Sequence, residues 1–267
     1  MKIKHSGAAA LLAFALLASC DQPEPQPVET PVVLPLRLEQ LDFRRTLEFD
    51  AGKRLSRVKN VHIMLNDVVL ESTTEFFYSA DGRMEKTLTD NGYRLEFVWK
   101  DGRIIRTNEY LNEQFSQYHT FSYDEKGRVK EWITWQDIPE EGGVIPKSKE
   151  MYLYDARNNL TEQFLYFYNP GIDGHELLSA FEFSEYDDQP EAESLFDGYA
   201  FNPMAVFRQN NPGKMIVKNR LGNTSMIDRY TYVYDTRGYA TRKTTTSLFS
   251  HSGSGGSYDT HYYYETR

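Results

Sequence analysis

At 267 residues, 40% of them hydrophobic, the chain is long enough to bury a substantial core, as one large domain or as two smaller ones. A formal net charge of -9, with no basic cluster, excludes nucleic acid as a partner and electrostatic adhesion to an anionic membrane surface. The 19 Tyr and 16 Phe suit pleated sheet better than helix.

Lys2 and Lys4 precede an apolar run from Ala8 to Ala18. That run is shorter than the ~20 residues of an ordinary spanning helix, so residues 1–19 read as a secretory signal. Leu17-Ala18-Ser19-Cys20 resembles the lipobox of bacterial lipoproteins. The resemblance makes Cys20, the only cysteine, the lipidated first residue of the mature chain and the membrane its partner through an acyl anchor. Residues 20–35 follow as an acidic tether with Pro23, Pro25, Pro27, Pro31 and Pro35, extended at about 3.1 Å per residue if polyproline II. Asp21 and Glu24 resemble the acidic export signals of Bacteroidetes surface lipoproteins, which leaves the cell surface and the periplasm both open.

Residues 36–267 read as a single domain built on a repeated hairpin. Tyr123-Asp124-Glu125-Lys126-Gly127-Arg128 is matched at Tyr78–Arg83, Tyr154–Asn159 and Tyr234–Tyr239. Shorter copies stand at Phe49–Lys53 and Trp99–Arg103. A large apolar residue lies two positions before each leading aromatic, which is strand spacing. Asp or Ser at the start of a turn accepts backbone hydrogen bonds, and a residue with positive φ closes it. The turn-forming positions are Gly52, Gly82, Gly102, Gly127, Asn158 and Gly238.

Strands follow one another from Arg44 to Tyr264, with Tyr93, Leu95, Phe97 and Trp99 sharing one face. Wet loops are expected at Asp137–Lys149 and Asn169–Gly174. The pattern breaks between Asp187 and Lys214: Tyr186-Asp187-Asp188-Gln189-Pro190 opens like the motif but has no turn glycine, and a short helical turn fits Glu191–Phe196. The expectation is an all-β antiparallel up-and-down meander of about 14 strands closing into a barrel, since an open twisted sheet rarely exceeds about 10. An open, curled repeat sheet is the alternative.

Candidate sites are few. Trp132 and Trp135, three apart in one strand, must face opposite sides of it, as must Tyr263 against its neighbours Tyr262 and Tyr264. Trp132, Trp135 and Tyr263 are therefore the ligand-binding candidates, since exposed aromatics stack on sugars or anchor protein partners. A loop or plug covering the second face is the competing reading. The turn arginines are expected to stack on neighbouring aromatics or pair with turn acids. Asp187 and Asp188 are weak candidates for calcium, no histidine has metal-ligand spacing, and no cofactor motif is read. Glu140 and Glu141 with Asp187 and Asp188 would be needed by a polysaccharide hydrolase.

The Tyr-Asp-x-x-Gly-Arg units resemble the YD repeats of Rhs and teneurin-type proteins. Cys20, those units, Tyr186–Pro190, Asn210-Asn211-Pro212 and Tyr232–Tyr239 together resemble a Bacteroidetes lipoprotein family of unknown function with a porin-like β fold. Glu191-Ala192 departs from the Asn-Pro usual there. The resemblance implies the fold and an outer-membrane lipoprotein's address. On the residues themselves, the expected function is non-enzymatic binding of a glycan, peptide or envelope partner. A purely structural envelope role, or hydrolysis, are the alternatives.

Overall fold

The structure, a computed structural model, describes residues 32–267 except 65–67, 139–142 and 198–199, together with the side chains of 195 and 197. Cys20, the signal and most of the tether lie outside the described residues, as do Glu140 and Glu141.

Sixteen strands run in chain order: β1 (Val33–Gln40), β2 (Phe43–Phe49), β3 (Leu55–Ile63), β4 (Val69–Tyr78), β5 (Met84–Thr89), β6 (Tyr93–Lys100), β7 (Arg103–Leu111), β8 (Gln114–Tyr123), β9 (Val129–Ile138), β10 (Gly143–Tyr154), β11 (Leu160–Asn169), β12 (Gly174–Ser184), β13 (Lys214–Asn219), β14 (Thr224–Tyr234), β15 (Ala240–Phe249) and β16 (Gly255–Thr266). A short helix, α1 (Glu193–Asp197), lies between β12 and β13. Each strand pairs antiparallel with its sequence neighbours, and β1 pairs with β16 from Val33↔Thr266 to Gln40↔Thr260, so the meander closes into a barrel. Closure removes every sheet edge, the hazard that an open meander of this length would carry.

Two strands depart from the sequence reading, and proline is the reason in both. Pro35 belongs to β1 rather than to the tether, and Pro146 belongs to β10, which shortens the expected loop at Asp137–Lys149. Proline has no N–H for the ladder. Each proline sits at an irregularity in register, between Pro35 and Arg37 and between Pro146 and Ser148, where the ladder is already interrupted.

The motif turns all fall on one rim of the barrel, and all share one geometry except that at Trp99–Arg103, a two-residue turn with Asp101 and Gly102 both at positive φ. Asp124 N donates to Arg128 O and Gly127 N to Asp124 O, while the Asp124 carboxylate accepts from Lys126 N and Arg128 N. Asp155 and Asp235 repeat this, and Ser79 replaces the aspartate before Gly82. Gly82, Gly102, Gly127, Asn158 and Gly238 have positive φ. Gly52 does not: Lys53, with φ 61°, takes that position, and Asp50 N donates to Arg54 O. The copy at Phe49 is therefore full length, with Arg54 in the place of Arg128. The same turn also recurs at Asn219–Asn223 on the opposite rim, closed by Gly222 with φ 79°.

Side chains alternate along the strands. Leu95, Phe97, Phe121, Trp132 and Tyr152 point into the barrel and form one buried cluster. Leu38, Leu47 and Tyr262 form a second. Both are completed by the segment between β12 and β13: Phe207 packs in the first, Ala192 and Phe196 in the second. The lumen is thus filled with apolar and aromatic groups.

Candidate functional site

The repeated aromatic is a latch between hairpins. Tyr78 OH donates to Leu55 O (2.8 Å), Trp99 Nε1 to Met84 O (2.7 Å), Tyr123 OH to Ile104 O (2.5 Å) and Tyr154 OH to Val129 O (2.6 Å). Each acceptor is the residue that begins, or lies at the start of, the returning strand of the preceding hairpin. The turn arginines lie over the same rings: Arg54 is 4.5 Å from the Tyr78 centroid and Arg128 4.4 Å from that of Tyr154. Burial pushes the Tyr78 and Tyr123 hydroxyls above their ordinary pKa, which keeps them protonated donors.

Tyr186 is one more copy of this latch, and it explains the break in the repeat. Its hydroxyl donates to Leu160 O (2.5 Å). Asp187 then behaves as Asp124 does: its N donates to Asn211 O, and its carboxylate accepts from Gln189 N (3.0 Å) and Asn211 N (3.1 Å). Asn211 stands where Arg128 would be, so the described residues between Gln189 and Asn211 belong to an enlarged turn, folded back into the barrel mouth. Asn159 anchors it by accepting from Gln209 N and Asn210 N, both at 2.9 Å. Leu160 N donates to Phe207 O, Thr107 Oγ1 to Phe201 O, and Arg45 Nη1 to Phe196 O.

Both calcium candidates have protein partners. Asp187 is occupied by backbone donors and by the Tyr234 hydroxyl, and Asp188 reaches Arg157 Nη2 at 2.7 Å with 89% of its side chain exposed. Among the described residues no group of three His, Cys, Asp or Glu is placed to hold a metal ion.

Inside the barrel the insert brings charge with it. Glu193 pairs with Lys243, and Arg208 reaches Glu191 (3.1 Å) and Glu193 (3.4 Å). Burial works to raise the Glu193 carboxyl, but Lys243 and Arg208 outweigh it and hold the group below its ordinary value. A second polar knot joins Glu109 to His119 Nε2 (3.1 Å) and Gln117 Nε2 (2.8 Å), with Thr134 on His119 Nδ1. Burial again opposes ionisation of Glu109, and hydrogen bonds from His119 and Gln117 outweigh it, so its pKa lies below the ordinary value. None of these charged partners has a sequence signature: Lys243 and Glu193 are 50 residues apart, and Glu109 meets His119 only once β7 and β8 pair.

The sequence-derived aromatics separate as strand alternation requires. Trp132 is 7% exposed and faces the lumen against Phe121 and Phe201. Trp135 faces outward, stacked on Tyr118 at 6.0 Å and 9°, with its Nε1 donating to Thr120 Oγ1 (2.9 Å). Arg106 lies 3.7 Å over Tyr118, and Phe115 and Tyr110 extend the ledge. Tyr263 also faces outward, 37% exposed, under Arg37 and hydrogen-bonded to Glu39. It belongs to β16, well round the barrel from β9, so the three candidates do not converge.

Elsewhere the outer wall carries ion pairs between neighbouring strands, interspersed with exposed apolar side chains such as Val98, Leu153, Leu178 and Val233. Arg57 reaches Glu48 (3.2 Å) and Glu75 (3.0 Å), Lys59 reaches Glu71 (2.8 Å), Lys218 pairs with Glu182, and Arg242 reaches Asp259 (3.7 Å). Arg57 and Lys59 lie in the body of β3, not at its ends.

No family model matches the chain, and no curated protein does. Among solved structures, a porin-like protein from Bacteroides uniformis superposes with a TM-score of 0.62 at 13% identity, over 86% of this chain and 97% of its own. A porin-like protein from Bacteroides vulgatus does so with a TM-score of 0.53 at 14% identity, over 88% and 99%. The chain shares the β-barrel fold of these proteins.

Proposed function

We propose that this chain is a non-enzymatic, lipid-anchored protein of the cell envelope, a barrel held beside the membrane rather than spanning it, that binds a glycan, peptide or envelope partner on its outer wall. The polarity of that wall carries the reading. A transmembrane barrel needs an outward apolar band about 25 Å tall, and a Lys or Arg at its midplane costs roughly 2–4 kcal/mol. Ion pairs such as Arg57–Glu75 and Lys59–Glu71 occupy that zone here, while the aromatic groups crowd the lumen. Cys20 supports the anchor, because an acyl group would supply the membrane attachment that this wall cannot. The Trp135–Tyr118 ledge supports the binding role, since flat, partly solvated rings flanked by arginine suit a sugar face or an aromatic-anchored partner.

Two experiments test this reading. Metabolic labelling with a fatty-acid analogue should mark the protein and should fail for Cys20→Ser. On a glycan array, the intact protein should bind a subset of sugars and Trp135→Ala should lose them. Unlabelled wild-type protein, or array binding indifferent to Trp135, would overturn the corresponding half.

A further inference from the structure

A cleft of about 580 Å³ opens on the motif-turn rim, between the insert and the turns that join β6 to β7, β8 to β9 and β10 to β11. Arg103, Lys126 and Arg128 line it, and no acidic residue does. In a chain of net charge -9 this is a local reversal of sign. The three cations are not equivalent. Arg128 is committed to Asp124 (2.6 Å) and Asn158. Arg103 and Lys126 have no acidic partner among the described residues: Arg103 lies 5.3 Å over the Tyr123 ring and flat across Gly127. A Cβ at Gly127 would stand 2.8 Å from Arg103 Nη2, so this turn glycine also makes room for the guanidinium.

The other walls are mixed. Met204 and Val206 of the insert are 63% and 51% exposed and form an apolar lip, while Asn158 and Gln209 bring side-chain amides. The volume lies within the ~300–1,000 Å³ of small-molecule sites. Two cations that lack acid partners call for an anion. Amides and an apolar lip around them suit a polyhydroxyl ring with one hydrophobic face better than a bare inorganic ion.

We propose that this cleft binds a carboxylate-bearing sugar, a hexuronate or an oligosaccharide ending in one, with the carboxylate on Arg103 and Lys126. The site is separate from the Trp135 ledge and does not depend on it.

The test is calorimetric titration of the full-length protein with glucuronate, glucose and inorganic phosphate at low and high salt. Glucuronate should bind, weaken as salt rises, and exceed both glucose and phosphate. Arg103→Gln and Lys126→Gln should each weaken it roughly tenfold or more, the loss expected for a hydrogen bond to a charged group. Arg83→Gln, at a turn outside the cleft, and Trp135→Ala should leave it unchanged. Among the described residues the Lys126 side chain has no partner to lose, and an unchanged denaturation midpoint confirms that its variant is folded. Failure of glucuronate to bind, equal binding of glucose or phosphate, or binding unaffected by both substitutions would overturn the proposal. Loss of binding in Trp135→Ala would overturn the independence of the two sites.

Discussion

The turn at Asp124–Arg128 and the segment from Asp187 to Asn211 occupy equivalent places on the barrel rim and are fastened by the same hydrogen bonds. In both, an aspartate N–H reaches across the turn and its carboxylate accepts from the residue that closes it. In both, the preceding tyrosine latches onto the previous hairpin. One is a tight turn and the other carries a helix and three lumen-filling Phe residues. The wall therefore depends on the latch and the aspartate, not on what lies between, and the intervening chain is free to become the core.

The largest effect should come from emptying the insert. Phe207 is buried 4.7 Å from Tyr152, and Phe207→Ala should cost about 3–5 kcal/mol in chemical denaturation. Val206→Ala, one residue away on the exposed lip, should stay within ~0.5 kcal/mol. Equal effects would mean that the insert does not pack as described.

Next is the buried charge that the insert imports. Lys243→Met strands Glu193 beside Arg208 alone and should fall toward the low end of the ~3–5 kcal/mol typical of a broken buried pair. The folded Glu193 carboxyl is held below its ordinary 4.5, so its contribution is fully present above about pH 4.5 and lost as pH falls through the folded value. Denaturation midpoints followed from neutral to acid pH should decline below about pH 4.5, and Glu193→Gln should flatten that decline.

A latch should be worth less. Tyr154→Phe removes the hydrogen bond to Val129 O and should cost about 0.5–1.5 kcal/mol, while Tyr263→Phe, whose exposed side chain meets Glu39 at the surface, should cost little. The turns give a change of comparable size, and the most discriminating one. Gly127→Ala forces a side chain onto φ 82° and should destabilise by roughly 1–2 kcal/mol. Lys53→Gly, at the matching position with φ 61°, should instead stabilise slightly. The two signs together test whether the Phe49 copy is a full motif.

The barrel wall was legible because its constraints are local: a strand period, an acid to pin the turn and a residue tolerant of positive φ. The opposed faces of Trp132 and Trp135 followed from the same period. The excursion at Tyr186 could be bounded from the missing glycine and Pro190, but its course could not. Phe196, Phe201 and Phe207 have no period of their own, and what buries them is a wall assembled from distant strands. Proline concealed β1 and the start of β10, since a register irregularity that accommodates it leaves no mark in the sequence. Lys53 hid a turn because lysine is a poor guide to positive φ. The cleft was hidden for a related reason: Arg103 and Lys126 belong to separate hairpins, and only the insert turns their shared rim into a pocket.

The proposed polarity, with the aromatic core inside and ion pairs on the outer wall, is best tested by placing single cysteines along that wall in membranes prepared from cells that express the full-length protein. Positions 48, 59, 75, 182 and 218 should all react with a water-soluble maleimide once the envelope is opened. A continuous band of unreactive positions about 25 Å tall would contradict the account, because it would place lipid against the wall that we propose faces water.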